Sequence, residues 1–479
     1  MMRQTILLAA VAAVLGGCAT VGPEYVRPKV VVPEGYRQGT PGWKKAEPRD
    51  HVARGKWWEV YGDARLNALA EKVESGNQNV AAAEARVRQA LAIARQARAD
   101  LYPAVSASGG ASRSGASGAN AGASNRYDVG VDAAWEPDLW GRVRRSIEAG
   151  EAQWQATAGD LAAVRLSATA ALVQNYLSLR VVDAQARLLT DTVAAFNKSL
   201  ELTRNRYAVG VAGRQDVVLA EAQVKGVQAQ LVDLGVLRAQ LEHAIAVLVG
   251  EPPAAITIEA QAAAPGLPDI PAALPSELLE RRPDIAAAER RMAAASARIG
   301  VAESAFYPSV SLAGSVGLRS ALLGDLISAP STLWSLGAAA AQLLVDGGAR
   351  QSAVEQTRAA FDAEVAAYRQ AVLTGFQEVE DNLAALRILA EQAKLQEDAT
   401  KASRTSVELM LNRYRAGTVG FLDVISVQTI LLSNERALLA ILGRRLAASA
   451  LLVKALGGGW DAASLEAMRI PRTLSGAGK

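Results

Sequence analysis

A single cysteine in 479 residues rules out a disulfide within the chain and any cysteine-rich metal cluster. The two histidines, His51 and His243, have no nearby acids or thiols at ligand or triad spacing, so both read as surface or packing residues. Five methionines lie scattered and make no soft-metal cluster. Gly457-Gly458-Gly459 lacks the Lys-Ser/Thr that completes a phosphate-binding loop and reads as a chain-end breaker. No catalytic constellation is left, so no enzyme is expected. Basic and acidic residues nearly balance, 51 against 48, and a nucleic-acid footprint would need a basic excess. No continuous run of about 18 apolar residues occurs, so no membrane-spanning helix is expected. A chain of this kind could cross a membrane only as a closed β-barrel. Aromatics make up 5% against 50% hydrophobic residues, much of the latter alanine. That balance favours long, closely packed helices over a thick globular core.

What is present begins at the N-terminus. Arg3 precedes the apolar run Ile6 to Val14 and then Leu15-Gly16-Gly17-Cys18, a secretory signal peptide over residues 1–17. Leu-Gly-Gly-Cys resembles the bacterial lipobox. The resemblance implies a diacylglyceryl thioether and an N-acyl lipid on Cys18, and several acyl chains anchor stably where one is marginal. Ala19 stands where an Asp would retain such a lipoprotein at the inner membrane, so the outer membrane is the expected destination. The alternative is a buried or free thiol behind an ordinary signal peptide. Residues 18–62 form a Pro-rich arm, with Pro23, Pro28, Pro33, Pro41 and Pro48 barring a long helix. Trp57-Trp58 near its end reads as a packing anchor.

The rest repeats itself. Asn79-Val80-Ala81-Ala82-Ala83-Glu84 matches Asp284-Ile285-Ala286-Ala287-Ala288-Glu289, and Tyr102-Pro103 matches Tyr307-Pro308, at 285 − 80 = 205 residues. Asn205-Arg206-Tyr207 matches Asn412-Arg413-Tyr414, and Asp216-Val217 matches Asp423-Val424, at 414 − 207 = 207 residues. This spacing is far longer than a solenoid repeat and predicts two equivalent halves: 63–257, a linker 258–275, 276–458, and a tail 459–479. Each half reads helix, strand pair, very long helix, turn, helix. The first helices are expected from about Ala64 to Asp100 and from about Ser276 to Ser304, each stopping before Tyr-Pro.

In the strands, Tyr127, Val129, Val131, Ala133 and Trp135 alternate with Asp128, Gly130, Asp132, Ala134 and Glu136. Val310, Leu312, Val316 and Leu318 alternate with serines, Ala313 and Gly317. This is the apolar-out, polar-in pattern of a barrel wall, although a small soluble hairpin would show the same alternation. Asp128 and Asp132 share the polar face and are candidate lumen acids tuning ion selectivity. They could instead pair with Arg126 or Arg113. The long helices carry seven-residue seams: Leu172, Leu179, Ala186, Val193, Leu200 and Tyr207 in one, Val181, Leu188, Ala195 and Leu202 in another. The other half has Val379, Leu386, Ala393, Thr400, Val407 and Tyr414, with Ile388, Leu395, Ala402 and Leu409. Two offset coiled-coil seams give each helix a neighbour on both sides, as a cylinder of helices requires. A helix from about Gly141 to Arg204 would be roughly 95 Å long at about 1.5 Å per residue.

These stretches together resemble the TolC-like outer-membrane factors, in particular the lipidated, NodT-type efflux branch. The resemblance rests on Cys18 to Pro28, Trp57-Trp58 with Tyr61-Gly62-Asp63, Leu279 to Glu289, Ile299 to Leu312, and the tip motifs Tyr207-x-x-Gly210…Asp216-Val217 and Tyr414-x-x-Gly417…Asp423-Val424. It implies a mainly α fold with a β-barrel part, in which a duplicated coiled-coil α-barrel continues into a transmembrane β-barrel shared by a homotrimer, four strands per subunit. It also implies a passive exit duct working with a periplasmic adaptor and an inner-membrane pump of the resistance–nodulation–division type. No cofactor is implied beyond the lipid on Cys18. A type I protein-secretion duct and a non-pore periplasmic scaffold are the alternatives.

Site residues follow from the tip motifs. The turns at about Val209–Arg214 and Ala416–Gly420, with Gly210, Gly213, Gly417 and Gly420, are expected to be adaptor-docking tips whose glycines permit tight reversal. By resemblance, Tyr414 bonds to Asp216 across the tips and Asp423 forms an acidic ring, so the three make a periplasmic gate. Val419 replaces a basic residue of that lock, and Ser426 replaces a second ring acid. Asp216 and Asp423 each also sit well as helix caps.

Overall fold

The computed structural model describes residues 20–28, 35–37, 56–115, 122–261, 265–268, 281–460, 462, 465 and 467–469. Cys18 and His51 lie outside them. After a short 3-10 turn at Trp57–Tyr61, the elements are α1 (Ala64–Gly76), α2 (Gln78–Ala99), β1 (Ala104–Gly115), β2 (Ala123–Trp135), α3 (Arg142–Ala208) and α4 (Arg214–Leu248). The second half gives α5 (Pro283–Ser304), β3 (Ser309–Ser320), β4 (Thr332–Ala341), α6 (Ala349–Arg415) and α7 (Phe421–Ala455).

The duplication holds element by element. Helices α6 and α7 reproduce α3 and α4 at both ends with 349 − 142 = 207 and 421 − 214 = 207, while α5 and β3 reproduce α2 and β1 with 283 − 78 = 205 and 309 − 104 = 205. Even a tertiary contact repeats. The Asn77 amide donates to Leu248 O at 2.8 Å, and Arg282 donates to Ala455 O at 3.2 Å, the same place in each half.

The single helix expected over Ala64 to Asp100 is broken. Asn77 is extended and its side chain caps α2 by accepting from Asn79 N and Val80 N. The break exists because the backbone of Gly76 lies hard against Val249 and Gly250, leaving no room for a β-carbon.

Helices α3 and α6 each run 67 residues, about 100 Å at 1.5 Å per residue. One stretch of α3 is, by length and composition alone, apolar enough to cross a membrane, which the sequence analysis did not expect. Polar residues interrupt it, and α3 packs laterally against α2, α4, α5 and α7, so its apolar character serves helix contacts on several sides. Helix α7 lies against both α3 and α6. The main core gathers where the N-terminal arm meets the helices: Trp57, Trp58, Leu66, Leu172, Tyr176, Leu179, Ile245, Ile258 and Leu446. Burying one such side chain contributes roughly 1.5–3 kcal/mol. A second cluster near the hairpin ends holds Phe196, Leu200, Val224, Tyr414, Phe421 and Val424.

Candidate functional site

The four strands form one antiparallel sheet in the order β1-β2-β3-β4. Its register sorts the faces. Ser106 pairs with Asp132 and Asp132 with Ser315; Ser315 pairs with Ser335. The opposite face carries Val105, Val129, Val131, Leu312, Val316, Leu318, Trp334 and Leu336, and Trp334 and Leu336 are 79% and 83% exposed within the protomer. Exceptions are few: Leu333 falls on the polar face, while Arg113 and Asn125, paired to each other, fall on the apolar face toward the far end. Exposed apolar area of this extent needs a cover.

Asp128 and Asp132 both lie on the polar face. Arg113 does not, so it is not placed to pair with them. The residue in register with Asp128 is Arg319 on β3, which the sequence reading missed. Its signal was available, since Arg319 continues the Ser315, Gly317 alternation.

Each sheet-to-helix junction is turned by an aspartate. Asp138 accepts from the Val143 and Arg144 amides at 3.0 and 2.9 Å. Asp346 accepts from Gly348 and Arg350 at 3.0 and 3.1 Å, and the Arg350 side chain beside it holds its carboxyl below the usual carboxylate range. The N-terminal arm is pinned at the first junction. Val21 N donates to Trp140 O at 3.0 Å, Arg145 donates to the carbonyls of Val21 and Gly22, and Thr20 lies against Gly141. The arm continues along the helices, where Tyr25 bonds to Glu289 and Arg27 to Tyr368.

At the far ends of the long helices, Gly210 and Gly417 adopt φ of 74° and 78°, the left-handed region. Both close Schellman-type turns, with Val211 N donating to Arg206 O and Thr418 N to Arg413 O. Gly213 and Gly420 are different. Both are extended, with φ of −82° and −78°, and serve as N-caps of α4 and α7. Of the four tip glycines, only the first of each pair supplies unusual backbone freedom.

The expected Tyr414–Asp216 bond is not formed. The Tyr414 hydroxyl donates to Thr203 Oγ1 at 3.2 Å. Asp216 instead accepts from the Gly213 amide at 3.2 Å, and Asp423 accepts from Gly420 at 3.0 Å. The physical reason is local. A carboxylate in the first turn of a helix meets free amides and the positive end of the dipole, whereas Thr203 lies within reach of the buried phenol. Ser426 donates to Asp423 O and Val419 packs into the tip cluster. A basic residue does lock the tips, but it comes from the other half. Arg206 lies 4.7 Å over the Tyr414 ring and donates to the carbonyls of Tyr414 and Arg415 at 2.7 and 3.3 Å.

A second network escaped the sequence reading. Asp183, 5% exposed, accepts from Arg180 at 3.1 Å, Arg238 at 2.9 Å and Gln261 N at 3.1 Å. Arg180 donates to the Tyr176 hydroxyl, which donates to Asp63. Burial and the bond to Asp63 push Tyr176 up to about 12. The members lie more than a hundred residues apart at the extremes, which hides them from any spacing rule.

Paired helices about 100 Å long, hung from a sheet with one face fit for lipid and one for water, define a component of a membrane duct. Comparison with known proteins agrees. The sequence pattern of the family described as outer membrane efflux protein matches residues 69–251 and 274–458, and the chain belongs to that family. It is 32% identical over 469 residues to the probable efflux pump outer membrane protein TtgC of Pseudomonas putida, covering 96% of each chain. It is 31% identical to the outer membrane protein OprJ of Pseudomonas aeruginosa, covering 94% of this chain and 95% of the other. Among solved structures, the outer-membrane channel OprN superposes with a TM-score of 0.85 at 30% identity, covering 92% of this chain and all of that one. The open-state MtrE channel of Neisseria gonorrhoeae gives 0.82, also at 30% identity, with 92% and 99% covered. The protein is an outer-membrane efflux duct.

Proposed function

We propose that three copies of this chain close into a passive exit duct for small toxic compounds, fed by a resistance–nodulation–division pump in the inner membrane through a periplasmic adaptor. One observation carries the reading: a sheet with consistently polar and apolar faces ends, within the protomer, in two unpaired strands, β1 and β4. Open sheet edges in lipid are not viable, so neighbouring copies must supply the missing pairings. Closure puts the apolar face against lipid and the polar face around a bore.

The helices support the same closure. Helix α6 exposes Leu373, Ile388, Leu395 and Leu409, and α4 exposes Val218, Val232, Val236 and Val247. These are apolar rows on the two helices at the outer edges of the protomer, where a second copy would continue the coiled-coil wall.

The remaining assignments complete the reading. Cys18 carries the lipid anchor. Thr20 beside Gly141 at the sheet-to-helix junction supports an anchor two residues earlier in the chain, near the inner face of the membrane. The turns at Gly210–Gly213 and Gly417–Gly420 receive the adaptor. Tyr414, Asp216 and Asp423 border the periplasmic opening, with Arg206 holding the two tips together. Relatives named as antibiotic and toluene efflux pump proteins support apolar and amphiphilic cargo.

The test is reconstitution of purified protein in a planar bilayer. Discrete conductance steps from detergent-stable trimers are expected. Folded protein that inserts without conductance would overturn the duct in favour of a scaffold.

A further inference from the structure

The polar face of the sheet carries four charged residues among the described strand positions: Arg126, Asp128, Asp132 and Arg319. Their order along the wall is not random. Strands β1 and β3 follow helices and end at loops, so the helical end of the sheet is periplasmic and the loop end is extracellular. From the periplasmic end outward, register gives a layer of Ala104, Ala134, Ala313 and Gly337, then Ser106, Asp132, Ser315 and Ser335. Next comes Ser108, Gly130, Gly317 and Leu333, then Gly110, Asp128 and Arg319, then Ser112 with Arg126, and last Ser114 with Ser124.

Local geometry fixes where the charges sit. Asp132 is tied to the wall, accepting from the hydroxyl of Ser108, one layer farther out, at 3.3 Å. Asp128 leans over β1 into the space left by Gly110, where a β-carbon would lie 3.0 Å from its Oδ2. It thus turns away from Arg319, and no ion pair within 4 Å joins them. Between the two levels, Gly130 and Gly317 back onto each other so closely that a β-carbon on Gly317 would sit 2.7 Å from Val129 O. That layer has no side chains on two adjacent strands.

Resting on the duct reading above, we infer that the bore is electrically polarised. Asp132 forms an acidic inner band, and among the strand positions Arg126 and Arg319 outweigh Asp128 to make a net cationic outer band, beyond which the β3–β4 loop carries Asp325. Threefold symmetry repeats each band around the axis at one height. Asp132 and Asp128 are four residues apart, about 13 Å along the strand, and Arg126 lies further out. Screening acts over about 10 Å at 0.1 M salt, so permeating ions meet the two bands separately. Charge rings of this kind set ion preference, and two of opposite sign in series make current depend on its direction. The outer band disfavours passage of cations from outside, while the inner band attracts cationic cargo arriving from the periplasm. Asp128 and Asp132 therefore do not act as a pair. Asp132 sets the inner preference, and Asp128 moderates an arginine collar.

The experiment uses the full-length trimer in planar bilayers under a KCl gradient at 0.1 M or above. Wild type is expected to show an asymmetric current–voltage curve. R126Q/R319Q should shift the reversal potential toward cation preference and flatten the asymmetry, while D132N and D128N should each shift it toward anion preference. R126K/R319K should behave as wild type, which separates charge from packing. Accessibility gives a second readout: Arg126→Cys should react from the external side with a charged thiol reagent. A conducting wild type with symmetric current, or R126Q/R319Q with unchanged reversal potential, would overturn the inference while leaving the duct intact. Absence of wild-type conductance would overturn the duct itself.

Discussion

The guanidinium of Arg206, at the end of α3, stacks on the ring of Tyr414, at the end of α6, and donates to its carbonyl at 2.7 Å. The two residues belong to different halves of the duplication, so this contact ties one hairpin tip to the other. A partly desolvated cation–π contact contributes about 0.5–2 kcal/mol, and the hydrogen bonds add about 1.5–3 kcal/mol where the donor is charged. The Tyr414–Thr203 bond is neutral and contributes about 0.5–1.5 kcal/mol. Arg206→Gln should therefore raise basal conductance in bilayers more than Tyr414→Phe does. Asp216→Ala should cost about 0.3–1 kcal/mol of hairpin stability and leave conductance unchanged. A larger conductance effect from Asp216→Ala than from Arg206→Gln would reverse the assignment.

The tip glycines should divide by backbone conformation. Gly417→Val places a β-branched residue at φ of 78°, costing at least about 1–2 kcal/mol, and should abolish drug resistance while trimers persist in the outer membrane. Gly420→Ala sits at φ of −78° and should retain resistance. Equal loss in both would mean that side-chain bulk, not turn geometry, governs docking.

The exposed rows on α4 and α6 should be buried by neighbouring copies. Leu395→Glu and Val232→Glu put a charge where an apolar contact is expected, and each should abolish detergent-resistant trimers seen on gels. Helical content by circular dichroism should remain, because both side chains are exposed in the protomer, at 67% and 77%. Trimers surviving both changes would place the subunit boundary elsewhere.

Two ion pairs offer a contrast in burial. Asp183→Ala strips the partner from Arg180, whose side chain is 3% exposed, and should cost about 3–5 kcal/mol. Arg187→Ala breaks a pair with Asp191 in which both side chains are more than 60% exposed, and should cost at most about 1 kcal/mol. Thermal unfolding of the two purified variants checks the ranking, and comparable losses would refute it.

A palmitate analogue should label wild type and not Cys18→Ser. The variant, given an alternative cleavage site, should keep part of its channel function because the barrel itself inserts. Equal labelling of both proteins would exclude the anchor.

Periodicity alone determined a great deal. The seven-residue seams, the two-residue alternation and the 205- and 207-residue offsets specify element type, order and duplication, because each is a local or translational property of the chain. The left-handed glycines Gly210 and Gly417 were legible in the same way, as turn residues at the ends of heptads. Contacts between elements were not. The break at Asn77 exists only because Gly76 meets Gly250, and Asp128 leans from Arg319 only because Gly110 leaves room. The acceptor for Tyr414 is Thr203 because helix ends capture Asp216 first. In each case the outcome depends on which groups compete for one site in space, and sequence separation does not encode that competition.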